Sequence, residues 1–116
     1  MTARRTPMTV LAGLFLIAHG LVHLAVWLAP PPPDAPFDSR HSWLLGDAVG
    51  PSRALSVLAC VLFVLAGILL LAGTELAAAI AVAAAVISLA LVALTFNRWF
   101  VFAVGINAAI VAIALG

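Results

Sequence analysis

Two histidines near the middle of the first apolar segment are the residues best suited to chemistry. His19 and His23 occur in the pattern H-G-x-x-H. On a helix, side chains four residues apart share one face, with Cβ atoms about 6 Å apart, so both imidazole rings would lie together. Such a pair can ligate a metal ion, relay a proton or bind a polar group of a ligand. Gly20 lies beside the pair and would let another helix or a flat ligand approach closely.

Further polar side chains fall at similar depths when residues are counted along the apolar segments. Asn107 comes level with His19, and Thr95 lies nearer to the segment 30–51, whereas stretches such as 62–72 and 108–115 contain no polar side chain. Polar groups inside a membrane are costly unless they are bonded or used. We therefore expect a polar pocket that opens under residues 30–51, with candidate ligand-binding residues His19, His23, Asn107, Cys60, Ser56 and Ser88.

A metal site would need more ligands than the histidine pair supplies. If His19 and His23 bind a metal, His41, Asp34 and Asp38 are the further candidates. The sequence does not identify a metal or a cofactor. Three interpretations stay open: a ligand, quinone or proton-relay site; a metal or haem site; and neutral histidines that only fasten helices through hydrogen bonds.

The elements that carry these residues are strongly apolar. Hydrophobic residues make up 66% of the chain and charged residues 8%, and the mean hydropathy is +1.31. Since a helix needs roughly 20 apolar residues to cross a bilayer, the sequence predicts an all-α membrane protein. Its four transmembrane helices, at about 8–29, 52–72, 75–96 and 98–115, form one domain over residues 1–116.

Proline, glycine and capping residues mark the expected limits of these helices. Pro30 should follow the end of the first helix, and Ser52 is a candidate N-cap for the second. Gly73 is expected to end the second helix, and Thr74 is the candidate N-cap of the third. The connections at 73–74 and 97 are so short that the helices should form an antiparallel bundle.

The segment 30–51 is a long loop that contains six of the seven prolines. It is either a solvated linker with an interfacial anchor or a cap over the polar pocket. The expected pairing of Arg53 with Asp47 would help to close the loop over the polar pocket. The candidate cap residues are Asp38, Arg40, His41 and Trp43.

The few charges limit the partners and indicate an orientation. The net charge of +1 comes with five arginines and no lysine, which does not supply the basic face that nucleic acid requires. Arg4 and Arg5 favour a cytoplasmic N-terminus in a multi-pass protein of the plasma membrane. Alanine-rich helix faces are typical of close packing within the bundle, or against a second copy or another membrane protein.

Three stretches carry a resemblance to known sequences. At HGLVHLAVW, PFDSRHSWLLGD and NRWFVFAVGIN, the chain resembles uncharacterised small four-span membrane proteins of high-GC bacteria. The resemblance implies a fold but no activity or site residues. No acid/base pair, nucleophile arrangement or phosphate loop indicates an enzyme. The expected function is an accessory or assembly subunit of a membrane complex. The alternatives are a binder of a lipophilic molecule, cofactor or metal, and a small proton-coupled transporter.

Overall fold

The computed structural model describes residues 6–116, so Arg4 and Arg5 lie outside the described part. Two short strands separate the first helix from the second, and a 3-10 turn, Arg98–Phe100, leads into the last helix. In chain order the elements are α1 (Pro7–Trp27), β1 (His41–Ser42), β2 (Gly46–Asp47), α2 (Val49–Leu71), α3 (Leu76–Leu94) and α4 (Val101–Leu115).

Four helical segments within the described residues are long and apolar enough to cross a membrane. They are α1, α2, α3 and the segment 98–115, in which the 3-10 turn continues into α4. The longest dimension of the molecule is 51 Å, which exceeds the roughly 30 Å hydrocarbon core of a bilayer. The sequence-based prediction of an all-helical chain with four potential spans is confirmed, and this is the architecture of a multi-pass membrane protein.

The start of α2 differs from the expectation. This helix begins at Val49, whose amide donates to Oδ1 of Asp47 over 3.2 Å. Ser52 is therefore not the N-cap, and its buried hydroxyl has no partner among the described residues. Pro51 is tolerated in the first turn because the amide it lacks would be unpaired there in any case. The N-cap of α2 is Ala48, whose side chain makes no capping bond, and Asp47 accepts from the first helical amide in its place.

The turn between α2 and α3 follows from one glycine. Gly73 has a φ of 78°, a conformation that is strained for other residues. The amides of Thr74 and Gly73 donate to the carbonyls of Leu69 and Leu70, each over 3.0 Å, and this pattern is a Schellman motif. The N-cap of α3 is Glu75 rather than the expected Thr74. Two helices are thereby joined by a very short connection.

The helices pack in sequence, with α1 against α2, α2 against α3 and α3 against α4. Two glycines let α1 and α2 approach closely: a Cβ atom added at Gly67 would lie 2.6 Å from the carbonyl oxygen of Gly13. Small side chains allow such contacts, which drive helix association in lipid. A hydrophobic core between α1, α2 and α3 is mostly alanine and contains Leu16, Ala59, Phe63, Ala66, Ala81, Ala84 and Ala85.

The connection from α1 to α2 is fastened to both α1 and α3. Ser39 Oγ donates to the carbonyl of Val26 over 2.5 Å, and Trp43 Nε1 donates to the carbonyl of Ala93 over 2.6 Å. Between these contacts, β1 and β2 form an antiparallel hairpin that the sequence did not predict.

The expected ion pair between Asp47 and Arg53 is not formed within the described residues. Oδ1 of Asp47 accepts from the amide of Val49 instead. The ion pair present in this part of the chain joins Arg40 Nε to Asp38 Oδ1 over 3.7 Å.

Candidate functional site

Four polar side chains from three helices bond to one another in the interior. His19 Nε2 lies 3.2 Å from Asn107 Oδ1, and Asn107 Nδ2 donates to Ser88 Oγ over 2.9 Å. Ser88 Oγ lies 2.7 Å from His23 Nε2, and His23 Nδ1 lies 2.8 Å from the carbonyl oxygen of His19. These residues, His19, His23, Ser88 and Asn107, are called the polar network below.

The backbone carbonyl of His19 determines which atoms of the polar network carry protons. A carbonyl oxygen only accepts, so Nδ1 of His23 must donate to His19. In a neutral His23, Nε2 then accepts the hydroxyl proton of Ser88, and Ser88 in turn accepts from Asn107. The remaining Oδ1 of Asn107 accepts from Nε2–H of His19. With both imidazoles neutral, each bond of the network has one donor and one acceptor.

The polar network is enclosed by the protein. His23, Ser88 and Asn107 expose 2%, 1% and 0% of their surface, and His19 is half-buried. Buried polar groups are stable only when they are bonded, and interhelical bonds of this kind contribute about 0.6 kcal/mol each in membrane proteins, up to about 1.7. The network therefore fastens α1 to α3 and α4, and it places polar atoms in the interior of the bundle.

An aromatic column surrounds the two histidines along α1. Phe15 stacks on His19 with ring centroids 5.7 Å apart, and His23 stacks on Trp27 at 5.4 Å. Phe63, on α2, also contacts this column: its ring centroid lies 4.7 Å from that of His19. The i, i+4 spacing puts these α1 rings on one face, so the histidines are held by ring contacts as well as by hydrogen bonds.

Two of the six pocket residues expected from sequence lie outside the polar network. Ser56 Oγ donates to the carbonyl of Arg53 in its own helix over 2.9 Å. Cys60 is a buried free cysteine. Neither side chain bonds to the network among the described residues, although both are buried in the same bundle. The ligand-binding role assigned to the six residues stays a prediction.

The expected cap residues do not bond to the polar network within residues 6–116. Trp43 anchors the hairpin on α3, and Asp38 accepts from the amide of Arg40 over 2.9 Å. His41 is exposed in β1. No group of three or more histidine, cysteine or acidic side chains in the described part of the chain is arranged to hold a metal ion. The candidate metal ligands of the loop, which also include Asp34, are not brought to His19 and His23.

A cleft between α1 and α4, with α3 at its floor, is the feature that sequence reasoning missed. Its volume is about 450 Å³, and one wall residue comes from α2. Every wall residue is apolar: Ala12, Phe15, Leu16, Leu70, Ala77, Ala78, Ala81, Ile106, Ala109, Ile110, Ile113 and Ala114. The alanines of the third and fourth segments were the available signal, but small residues are equally typical of tight helix packing.

No protein-family model, curated protein or solved structure matches the chain. The resemblance to small four-span proteins of high-GC bacteria therefore stays a prediction. What the fold defines is the class: a multi-pass membrane protein with four helices of spanning length.

Proposed function

We propose that this chain is a non-catalytic protein of the plasma membrane that binds a lipophilic small molecule in the cleft between α1 and α4. In this proposal the four helices form an antiparallel bundle, and the arginines at positions 4 and 5 keep the N-terminus in the cytoplasm. The observation that carries the proposal is the cleft itself, which lies within helices of membrane-spanning length and has only apolar walls.

The size of the cleft fits a molecule larger than a single ring. Small-molecule sites typically have volumes of about 300–1,000 Å³, and the 450 Å³ of the cleft falls in this range. An apolar cavity of about 150 Å³ holds one benzene molecule. By that scale the cleft has room for roughly 18 heavy atoms, three times the size of benzene. A branched or unsaturated hydrocarbon chain, or a substituted ring with an alkyl tail, meets this description.

The polar network supports a binding protein better than a catalyst or a proton carrier. Its four members are joined in a closed series of bonds that ties three helices together. A proton carrier would need to break that series, which leaves buried polar groups unpaired at a cost of roughly 1–3 kcal/mol each. The network thus serves to hold α4 beside α1 at the distance that keeps the cleft open.

A second candidate function is that of an accessory subunit, and the exposure of α4 favours it. Of the residues of α4, all of which the structure describes, Asn107 alone is buried. Phe102 and Ile113 expose 76% and 81% of their surface. A helix held on one side by α3 leaves most of its face to lipid or to a partner helix. In this alternative the surface of another membrane protein packs into the cleft.

Native mass spectrometry of the protein extracted from its own membranes in mild detergent tests the proposal. Ala109 lines the cleft, whereas Ala108 is exposed elsewhere on α4. We expect wild type and Ala108→Phe to carry a stoichiometric lipophilic mass, and Ala109→Phe to lose it because the ring fills the cleft. Retention of the mass by Ala109→Phe contradicts the proposed site. A co-purifying polypeptide without such a mass favours the accessory-subunit alternative.

A further inference from the structure

The turn of the β1–β2 hairpin carries three consecutive large apolar side chains that the protein leaves uncovered. Trp43, Leu44 and Leu45 expose 67%, 61% and 52% of their surface, and they are called the hairpin tip below. The base of the hairpin is polar, because His41 and Asp47 pair across the two strands and both are exposed. A contiguous exposed apolar patch marks a surface that contacts a protein or a membrane.

A hydrogen bond to α3 fixes the position of the hairpin tip relative to the spanning helices. Trp43 Nε1 donates to the carbonyl of Ala93 over 2.6 Å, and Ala93 is an exposed residue in the last turn of α3. The last four carbonyls of a helix have no donor within that helix, so the indole supplies one from outside. The tip is therefore held at the level of the last turn of α3, beside a residue that the other helices leave uncovered.

The length of α3 places that level at the edge of the bilayer. The helix has 19 residues and is about 28 Å long, whereas the hydrocarbon core is roughly 30 Å thick. A helix of this length needs all of its turns to cross, so Ala93 lies where the hydrocarbon meets the headgroups. Exposed aromatic rings, which are typical of this interface, occur at the same level, where α3 ends and α4 begins: Phe96, Trp99 and Phe102.

We propose that the hairpin tip is inserted into the interfacial region of the bilayer, so that the partner of this surface is the lipid. Because bilayer surrounds α3 at the level of Ala93, the exposed tip meets lipid there, and the polar base of the hairpin stays in water. The segment 30–51 is then an interfacial anchor rather than a solvated linker. The inference does not depend on the cleft, which lies toward the other ends of α3 and α4, at residues such as Ala78 and Ala114.

The backbone of the turn is suited to a region with little water. The hydroxyl oxygen of Ser42 accepts from the amides of Leu44 and Leu45 over 3.1 and 3.0 Å, and Ser42 is buried. Unbonded amides are costly where water cannot reach them. The turn thus presents apolar side chains to the lipid while two of its amides are bonded within the protein.

Spin-label accessibility in lipid nanodiscs tests where the hairpin tip lies. A nitroxide is attached to Leu44→Cys in the full chain with Cys60→Ala, and its collisions with oxygen, which partitions into lipid, are compared with those of a water-soluble nickel chelate. The matched controls are Asp34→Cys, in the exposed part of the same connection, and Val61→Cys, on the exposed face of α2. We expect the oxygen-to-nickel collision ratio at position 44 to be above that of the Asp34→Cys control and below that of Val61→Cys.

The collision rates also identify what covers the tip if lipid does not. A ratio at position 44 equal to that of Asp34→Cys overturns the inference, because the tip would then lie in water. Low collision rates with both reagents overturn it as well, since the tip would then be covered by protein. Neither result bears on the proposed function, because the cleft is not probed.

Tryptophan fluorescence provides a second measurement on the unlabelled tip. The difference in emission between wild type and Trp43→Phe gives the emission of the Trp43 indole. We expect lipids brominated near the headgroup end of their acyl chains to quench this emission and aqueous iodide to leave it largely unquenched. Quenching by iodide without quenching by the brominated lipids overturns the insertion of the tip.

Discussion

Removal of one oxygen atom from the polar network should destabilise the bundle. Ser88→Ala deletes the hydroxyl that accepts from Asn107 and donates to His23. The change leaves Nε2 of His23 and Nδ2 of Asn107 without a partner, and both residues expose 2% or less of their surface. It adds no bulk and places alanine, the best helix former, in α3. Any loss of stability therefore reports the hydrogen bonds rather than the packing.

The expected magnitude follows from the number of bonds lost. Interhelical side-chain bonds in membrane proteins contribute about 0.6 kcal/mol on average and about 1.7 at most. Since two such bonds depend on Ser88, we expect the free energy of unfolding to fall by roughly 1–3 kcal/mol. Ser56→Ala is the matched control. Its hydroxyl is equally buried but bonds only to the carbonyl of Arg53 in the same helix, and we expect a change below about 0.5 kcal/mol.

Reversible unfolding in mixed micelles with increasing SDS measures both variants, with circular dichroism as the readout. Ser88→Ala should unfold at a lower mole fraction of SDS than wild type, and Ser56→Ala at the wild-type value. Equal effects of the two substitutions would refute the assignment of a bonded network between α1, α3 and α4, because burial of the serines is the same and only their partners differ.

Two further results are expected from the same structure. Gly67→Ala should lower the free energy of unfolding by about 1–3 kcal/mol, since its Cβ would collide with the backbone of Gly13. Gly105→Ala, which meets no atom within 4 Å, should leave it unchanged or raise it, so equal effects in SDS titrations would contradict the close contact of α1 and α2. In ¹⁵N spectra of labelled protein, the proton should reside on Nδ1 of His23 and on Nε2 of His19; the same tautomer for both would contradict the bonding order of the network.

The polar network was largely predictable because lipid leaves few alternatives for polar groups. Depth within the apolar segments points to His19, His23, Asn107 and Ser88, and these four side chains form one hydrogen-bonded series. Depth does not fix the rotation of a helix about its axis. Depth points equally to Ser56, yet its hydroxyl donates to a carbonyl in the preceding turn of its own helix.

The connection from α1 to α2 and the cleft were less predictable. The hairpin depends on Gly46, whose φ is 76°, and the start of α2 has the amide of Val49 bonded to Asp47. The proline-rich composition of the segment indicates neither feature. The cleft is a space left by the relative placement of α1 and α4, and no periodicity in either helix encodes it. Its alanines predict close contact and open space equally well.

Photolabelling in nanodiscs tests the binding site most directly. The reagent is an alkylbenzene with a diazirine in its alkyl chain, and the labelled residues are mapped by mass spectrometry. We expect adducts at the cleft walls, such as Ala78, Ala109 and Ile113, and their loss in Ala109→Phe but not in Ala108→Phe. Adducts spread evenly over the exposed face of α2, at Val57, Val61 and Ile68, and unchanged in Ala109→Phe, would contradict a ligand site between α1 and α4.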